Sequence, residues 1–567
     1  MLIGSFSKEK NNVRYKNMKE PFTIQDYVSR SDTIVAQISN HAANWGIGSF
    51  FSERIPFSGV TSKMIVVQLI DLIIFFANEN KQKPQLHLYE FGVGLGILAI
   101  NILDTLADYF PDIYDKICYH ISDISEEKLT ELKELDLFKK HINHVEFSIL
   151  NLCDLKFKEN EPPLMVLHTY LLDALSVRHI KVENNKIYEI LIKTTVPANF
   201  KLLDTNSFPP NYLNPDQIKK RIEHTTNDKE KLILERRFKP FLHEEYKIIP
   251  LDKVKNITKS EKAAIRSFVK NKNINNETFN FSLQIKESTA NIVEHLPMES
   301  CFCAIDFWHE EIKNEPNLDS AVKLLFTNYG VYQYYQVNEE LVKFSANSIN
   351  NTVLKNNKLH YTVAPNVLKN HNLYLVWNSE KEKEFNYLIN KTFTQKDIEI
   401  FVRFTANIKN CTTKEEIFKE FNKIYPLTQQ NHYLLINLAH QLLKNDYYEE
   451  AQKCASESLS YSAFLSTEAY NLLGDIELKK QNFDKSEYLY RKALSITPLL
   501  DGTYKKLALI YSYKKNYSEL LNTYKTWLEH TTLNNINELL PDIIKAAHKT
   551  GNHKLAEEIF SWLKNQD

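Results

Sequence analysis

Apolar runs and amphipathic segments alternate along the first third of the chain. The longest apolar run, Met64 to Ala77, has the length of a helix but is too short to cross a bilayer, so the pattern predicts a buried helix. Four shorter apolar runs have the length of strands, and they are His87–Phe91, Ile117–Ser122, Val145–Leu150 and Pro163–His168. Strands that alternate with helices favour right-handed βαβ units. The predicted fold class of this part is therefore α/β, with a doubly wound, Rossmann-like sheet.

A different period takes over from about Thr394, where glycine and proline become rare and helix-period patterns dominate. One stretch fits the positions of a tetratricopeptide repeat, and its matching residues are Tyr470, Leu473, Gly474, Ser486, Tyr490, Ala493 and Pro498. A second copy begins at Tyr504, 34 residues after Tyr470 (504 − 470), a third near Leu540, and a degenerate earlier one near Leu435. Small residues at two positions let paired helices approach closely, so the pattern predicts an all-α solenoid.

The α/β pattern and the repeats need separate cores, so we expect the chain to divide near residue 390. Residues 1–20 are polar and are predicted to be flexible. Residues 21–390 are then the α/β domain, with a helical insertion rich in lysine, glutamate and asparagine at about 200–290, and residues 391–567 are the repeats. The segment Pro21 to Val28 is predicted to begin a helix that is capped by Thr23.

Charge and cysteine content exclude several classes of partner. The chain has 567 residues with 70 basic and 71 acidic side chains, and a net charge of −1 gives no electrostatic case for nucleic acid or an anionic membrane. None of the six cysteines forms a C-x-x-C pair, so no metal site and no disulfide framework is predicted. Reduced thiols and the absence of an apolar segment among the first 20 residues favour a cytoplasmic protein without a secretory signal.

The candidate cofactor site begins at Glu90, which ends an apolar strand and is followed by Gly92, Gly94 and Gly96. The chain has only 11 glycines, so three within five positions indicate positive φ angles or close contact with a ligand. Ile97 stands where the third glycine of a dinucleotide fingerprint belongs, which disfavours a nicotinamide-dependent oxidoreductase. The acid-x-G-x-G-x-G pattern instead resembles the first motif of class I S-adenosylmethionine (SAM) methyltransferases. A plain tight turn between strand and helix is the alternative.

Two further acids follow the next strands. Asp123 ends the second strand, where an acid can accept hydrogen bonds from ribose hydroxyls, although it could also cap the helix that starts near Ser125. Asp154 follows the third strand, at a place from which an acid could reach the adenine amino group. We therefore expect Glu90, Gly92, Gly94, Gly96, Asp123 and Asp154 to form the cofactor site.

The run Leu172 to Arg178, L-D-A-L-S-V-R, is similar to the F-D-A-L-P-V-R signature of the MidA-like methyltransferases, the family that includes the mitochondrial complex I assembly arginine methyltransferase. Pro21 to Val28, Glu90 to Gly96, Ser122 to Ser125 and Ala304 to Phe307 resemble other motifs of that family, so the likeness covers roughly residues 20–345. The resemblance implies SAM as the cofactor, with the three glycines against its methionine part and Asp123 on its ribose.

The chain departs from that family at the end of the fourth strand. His168, Thr169 and Tyr170 replace the family's A-N-E, so the carboxylate that could orient a guanidinium is missing and an arginine acceptor is less favoured. The nearest remaining carboxylate is Asp173, and we expect Asp173 and Tyr170 to position the acceptor, unless Asp173 only caps the helix that begins at Ala174.

Three histidines, His87, His120 and His168, lie in the predicted strands and are interpreted as core residues rather than catalytic ones. The leading functional hypothesis is a SAM-dependent methyltransferase that acts on a protein side chain, with the repeats recruiting a protein partner. The alternative hypothesis is a non-catalytic, methyltransferase-like scaffold whose repeats mediate protein-protein interaction.

Overall fold

The structure is a computed structural model of the whole chain. It describes residues 20–34, 36–37, 63–169, 171–172, 175–204, 211–227, 230–231, 234, 241–307, 322–326, 331–335, 342–346, 359–368, 371–392, 404, 407–425, 432–462, 466–531, 537 and 539–564. The expected flexibility of residues 1–20 falls almost entirely outside these ranges.

A sheet of seven strands forms the centre of the α/β part. In chain order its strands are β2 (Leu86–Phe91), β3 (Ile117–Asp123), β4 (Val145–Ile149), β5 (Pro163–Thr169), β12 (Ser300–Phe307), β15 (Leu359–Leu368) and β16 (His371–Asn378). Their spatial order is β15-β16-β12-β5-β2-β3-β4, and β16 runs antiparallel to both of its neighbours whereas the other pairs are parallel. The chain moves outward from β2 in both directions, which confirms the doubly wound α/β fold class.

Helices cover both faces of this sheet. The helices of the α/β part are α1 (Lys63–Glu79), α2 (Ile97–Tyr109), α3 (Pro111–Tyr114), α4 (Glu126–Glu134), α5 (Pro215–His224), α6 (Lys259–Asn271), α7 (Leu283–Glu294) and α8 (Glu382–Thr392). Helix α1 contains the predicted buried run, and it packs with α2, α4 and α8 on the face that carries Leu86 and Leu88 of β2. Helices α6 and α7 pack on the opposite face with Tyr89 and Phe91.

A second sheet stands beside the first. Its strands are β1 (Phe22–Val28), β6 (Arg178–Glu183), β7 (Lys186–Val196), β10 (His243–Pro250) and β11 (Glu277–Phe281). Strand β7 pairs with β10 along one edge, and with β6 and then β1 along the other. Two short hairpins complete the strands, namely β8 (Leu202–Asp204) with β9 (Asn211–Leu213), and β13 (Val322–Phe326) with β14 (Val331–Tyr335).

Two predictions for this region are wrong. The segment Phe22–Val28 is a strand, not a helix capped by Thr23, because its aromatic and β-branched residues pair with β7. The insertion at about 200–290 is not purely helical, since it contains four strands as well as α5, α6 and part of α7. Pairing with strands distant in sequence decides both cases, and a local capping pattern carries no information about that pairing.

The C-terminal part is an array of helices. After α9 (Lys414–Asn422) come four helix pairs, namely α10 (His432–Lys444) with α11 (Tyr448–Tyr461), α12 (Thr467–Lys479) with α13 (Phe483–Ile496), α14 (Asp501–Tyr513) with α15 (Tyr517–His530), and α16 (Leu540–Lys549) with α17 (His553–Lys564). Each pair coincides with one predicted repeat copy, which confirms the all-α repeat fold. Within the described residues, no helix is both long and apolar enough to cross a membrane.

The helical array packs against the second sheet and against the β8–β9 hairpin. Leu499, between α13 and α14, is buried in a cluster with Ile24 of β1 and Val196 of β7. Tyr212 of β9 stacks on Trp562 of α17, with ring centroids 6.1 Å apart. The contacts are apolar, so the array is packed against the α/β part.

Gly474 in α12 tests the repeat packing. A Cβ atom there would lie 2.5 Å from the ring of Tyr490, which is fully buried and donates a hydrogen bond to Asp475 at 2.6 Å, so the ring has no room to move. Gly474→Ala should destabilise the array by about 1–2 kcal/mol, since overpacking of 1–3 kcal/mol exceeds the gain in helix propensity.

Thermal unfolding followed by circular dichroism measures this effect. Gly502→Ala in α14 is the matched control, because nothing lies within 4 Å of its added Cβ. An equal melting temperature for the two variants would show that the Tyr490 contact does not constrain this position.

Candidate functional site

The glycine turn follows β2, whose six residues are all buried. Gly92, Gly94 and Gly96 have φ angles of 65°, 56° and 70°, a region that side chains with a Cβ rarely enter. The Gly92 N–H donates a hydrogen bond to the carbonyl of Ser122 on β3 at 2.9 Å, and Gly96 is the N-cap residue of α2. The turn is therefore fixed between β2, β3 and the start of α2.

The glycines differ in what surrounds them. A Cβ at Gly96 would lie 2.7 Å from the ring of Phe138, so packing favours glycine there in addition to the positive φ. A Cβ at Gly92 would lie 3.3 Å from Leu171, in the segment that follows β5. The turn at Gly92 thus faces the loop that carries the family-like signature.

Asp123 lies beside this turn. The parallel register pairs Phe91 with Ser122, which places Gly92 and Asp123 at neighbouring strand ends. One carboxylate oxygen of Asp123 accepts a hydrogen bond from the N–H of Ser125 at 3.0 Å, while the N-cap of α4 is Ser125 itself. Capping α4 is therefore not the role of Asp123, and a carboxylate has further lone pairs for ribose hydroxyls.

Glu90 occupies a different environment from Asp123. It is 2% exposed, and its Oε2 accepts a hydrogen bond from the hydroxyl of Tyr119 at 2.7 Å. Burial raises the pKa of Glu90 to about 7, and the Tyr119 hydrogen bond opposes that rise. At neutral pH this carboxyl therefore exists in both protonation states.

The other predicted site residues are Asp154, Tyr170 and Asp173. Asp154 is exposed and ends a short 3-10 helix, Leu152–Asp154, after β4. Tyr170 and Asp173 lie outside the described residues. The structure thus brings Glu90, the glycine turn and Asp123 together, and it leaves the predicted roles of Tyr170 and Asp173 as predictions.

Sequence reasoning did not assign a role to Asp306 or Arg178. Asp306, at the end of β12, is fully buried and accepts a hydrogen bond from the N–H of Leu172 at 2.9 Å. It therefore holds the segment after β5 in place. The signal that could have found it is its position at a strand end within the I-D-F match.

Arg178 ends the family-like signature and begins β6. Its guanidinium donates to Glu189 of β7 at 2.9 Å and to Glu261 of α6 at 2.7 Å. Glu189 is fully buried and also accepts a hydrogen bond from Ser29, just after β1, at 2.7 Å. The signature arginine thus joins the second sheet to α6 instead of facing the cofactor edge.

The end of β5 carries no charge among the described residues. Burial lowers the pKa of His168 to about 3, so this histidine is neutral, and Thr169 follows it. The predicted contributions of Tyr170 and Asp173 to this environment lie outside the described residues and stay predictions.

This edge of the sheet fits SAM. The strand order reverses next to β2, and in such sheets ligands bind at the carboxyl ends of the strands at that point. Ser122 Oγ, between the glycine turn and Asp123, is buried without a hydrogen-bond partner in the part of the chain that the structure describes. A polar ligand over the turn would find a carboxylate, a hydroxyl and three glycines that lack a Cβ atom.

Fold and site together define a class of protein, the α/β domains that bind a nucleoside-containing cofactor at a switch point. Residues 67–315 match the model of a family described as "Putative S-adenosyl-L-methionine-dependent methyltransferase". The match confirms, for that segment, the predicted resemblance to SAM-dependent methyltransferase enzymes and the predicted cofactor. No curated protein matches the sequence.

Solved structures resemble two parts of the chain. An uncharacterized protein from Burkholderia thailandensis is 12% identical, with a TM-score of 0.36 over 60% of this chain and 74% of that one. A second protein from Burkholderia thailandensis, bound to S-adenosyl-homocysteine, is 10% identical, with a TM-score of 0.35 over 56% of this chain and 78% of that one. The pilF protein of Pseudomonas aeruginosa is 17% identical, with a TM-score of 0.24 over 30% of this chain and 74% of that one.

The raised pKa of Glu90 predicts a pH-dependent stability. The folded chain holds this proton up to about pH 7, whereas the ordinary value is 4.5, so the folded state binds more protons between these values. The stabilisation that comes from protonated Glu90 is complete below about pH 4.5 and is lost as the pH rises through about 7. The free energy of unfolding should fall by up to about 3 kcal/mol over this range.

Glu90→Gln should remove this pH dependence of stability, because an amide can still accept the Tyr119 hydrogen bond but does not titrate. Urea unfolding at about pH 5 and about pH 8 gives the free energy of unfolding of wild type and variant at each pH. This free energy should fall less between the two pH values in the variant than in wild type. Glu127→Gln, at an exposed acid on α4, is the control. An equal change in the free energy of unfolding between the two pH values for wild type and Glu90→Gln would mean that Glu90 ionises normally in the folded chain.

Proposed function

We propose that the α/β domain, residues 21–390, binds SAM at the glycine turn and transfers its methyl group to a protein side chain. The observation that carries this proposal is the pairing of a positive-φ glycine turn with Asp123 at the reversal point of the sheet. Within the family match, this edge supplies the features that a nucleoside with a methionine tail requires.

The chain's own residues divide the task of binding. The turn from Gly92 to Gly96 lets the backbone approach the methionine part, and Asp123 accepts hydrogen bonds from the ribose. Asp154 reaches toward the adenine from the end of the next strand. Glu90, buried beneath the turn, supports it through Tyr119 and changes protonation near neutral pH.

Methyl transfer from a sulfonium is an in-line displacement, so the protein mainly has to hold a nucleophile in line with the methyl group. Asp173 and Tyr170 are proposed to hold it. Leu172, next to Asp173, is tied to Asp306, so the backbone at that point is anchored. The neutral His168 and Thr169 disfavour a guanidinium acceptor, which would need a facing carboxylate.

The helical array, residues 391–567, is proposed to recruit the protein substrate or another protein partner. Repeats of this kind contact only their neighbours and leave extended surfaces for binding. The array also packs on the second sheet through Leu499 and on β9 through Trp562, which would keep a recruited protein next to the α/β part.

A second candidate function is a non-catalytic scaffold that binds SAM and acts through its repeats. The uncharged end of β5 favours it, because no described group there can activate a nucleophile. The two candidates share the cofactor site and differ only in transfer.

Calorimetric titration with SAM, and with NAD in parallel, tests the shared site. Gly94→Val should abolish SAM binding, because its side chain would fill the turn and its φ of 56° strains any residue with a Cβ. Asp123→Ala should weaken binding by about 1–3 kcal/mol, the usual cost of losing a charged acceptor.

Gly502→Val and Asp112→Ala, both remote from the turn, are the matched controls. Gly94→Val that titrates like wild type would place the cofactor elsewhere, and NAD binding without SAM binding would overturn the class of cofactor.

Transfer is tested by incubating the protein with methyl-labelled SAM and lysate of its own cell. Label on a protein that is lost with Asp173→Asn supports the enzyme. Binding of SAM without transfer to any acceptor contradicts catalysis and leaves the scaffold.

A further inference from the structure

A cluster of metal-ligand side chains lies on β2 and β3, away from the cofactor edge. The parallel register pairs His87 with Cys118 and Tyr89 with His120, so that His87, Cys118 and His120 share one face of the sheet. All three side chains are buried, and one donor atom from each lies within 4.8 Å of the others. Cysteine spacing alone predicted no metal site, because these donors are brought together by strand pairing.

The distances fit a tetrahedral ion. His87 Nδ1 lies 2.9 Å from His120 Nε2, and Cys118 Sγ lies 3.6 Å from that same nitrogen. Ligands at ordinary zinc bond lengths would be about 3.3 Å apart for two nitrogens and about 3.6 Å apart for nitrogen and sulfur. The nitrogen–sulfur distance already matches this geometry, and the two imidazoles would have to separate by a few tenths of an ångström.

The surroundings of His120 also resemble those of a metal ligand. Its other nitrogen, Nδ1, lies 3.5 Å from Glu146 Oε2, which is the carboxylate partner that orients a zinc-bound imidazole. The ring of Tyr89 stacks on His120 with centroids 4.0 Å apart and planes 4° from parallel, which fixes the ring's orientation. The imidazole is therefore held with Nε2 directed toward His87 and Cys118.

A second carboxylate near the cluster lacks a partner. Glu161 lies with Glu146 within 4.8 Å of a His120 nitrogen, and its Oε2 is buried with no hydrogen bond from any described residue. Its other oxygen accepts a hydrogen bond from Lys158 at 2.9 Å. A buried carboxylate oxygen without a donor is costly, and a nearby cation would offset that cost.

We propose that His87, Cys118 and His120 bind a zinc ion, with Glu146 orienting His120. A thiolate and two imidazoles are the donors that zinc prefers. His87 lies five residues before Gly92, about 17 Å along an extended strand, so the ion is structural and takes no part at the cofactor edge. It clamps together the two strands that carry the glycine turn and Asp123.

The test uses the tag-free, full-length chain, stripped with a chelator and titrated with zinc or with cobalt(II) alone. We expect about one zinc ion per chain by elemental analysis. Cobalt should give a thiolate-to-metal absorption band, which separates this cluster from ions held by exposed histidines such as His548 and His553. Folded wild-type protein that shows no such band overturns the proposal.

Variants assign the ligands. Cys118→Ala should lose the ion and the band, whereas Cys303→Ala, at another buried cysteine of the same sheet, should keep both. Glu146→Gln should weaken zinc affinity by about 10- to 100-fold, as changes in the partner of a ligating histidine do.

Glu159→Gln, at an exposed acid outside the cluster, should bind zinc like wild type. Glu146 is about half exposed, so this pair decides the question even if Cys118→Ala fails to fold. Equal zinc affinities for Glu146→Gln and Glu159→Gln would contradict the proposed ligand geometry, and the metal-free hydrogen bond between His87 and His120 would then explain the cluster.

Discussion

The structure of the α/β part depends on how β2 leaves the sheet. This strand is buried along its whole length between two layers of helices, so its chain can continue only by turning sharply at the edge. The turn uses φ angles that only glycine adopts easily. Where the turn begins, the N–H of Gly92 donates a hydrogen bond to the carbonyl of Ser122 on β3. Helix α2 then starts at Gly96, where the ring of Phe138 leaves no space for a side chain. The same constraint therefore allows α2 to pack and exposes the backbone at the proposed cofactor site.

Buried charges fix the other side of that site. Near the start of the segment that follows β5, Leu172 donates a hydrogen bond to Asp306 of β12. At the end of this segment, Arg178 donates hydrogen bonds to Glu189 and Glu261. Asp306 accepts a backbone hydrogen bond, whereas Arg178 forms ion pairs with Glu189 and Glu261, and removal of one partner from a buried ion pair would leave the other charge uncompensated. The described residues Leu172 and Arg178 of this segment are in this way bonded to β12 and to the second sheet.

Local patterns in the sequence were sufficient for the four parallel strands β2 to β5, for the glycine turn with Asp123 and for the repeats, because each is encoded within a few dozen neighbouring residues. Strands β15 and β16 of the same sheet were not predicted. The second sheet could not be predicted in this way. Strand β1 pairs with residues about 170 positions later in the sequence, and a capping pattern at Thr23 says nothing about such a partner. The cluster of His87, Cys118 and His120 was missed for a related reason, since its spacing follows from the register of two parallel strands and not from a linear motif.

The positions of these features divide the first sheet into two ends with different chemistry. The carboxyl ends of β2 and β3 carry the glycine turn and Asp123, while the donors of the proposed zinc site lie toward their amino ends. An ion at one end would hold the register on which the other end depends, since a shift of one residue would move Asp123 away from Gly92 and turn the side chains of the shifted strand to the opposite face. Among the described contacts of the helical array, Leu499 packs on the second sheet and Trp562 packs on β9, and neither contact involves β2 or β3. Arg178 joins the second sheet to the segment after β5. The helical array is therefore connected to the proposed acceptor segment through the second sheet and Arg178. This connection does not include β2 and β3, the strands of the proposed cofactor site.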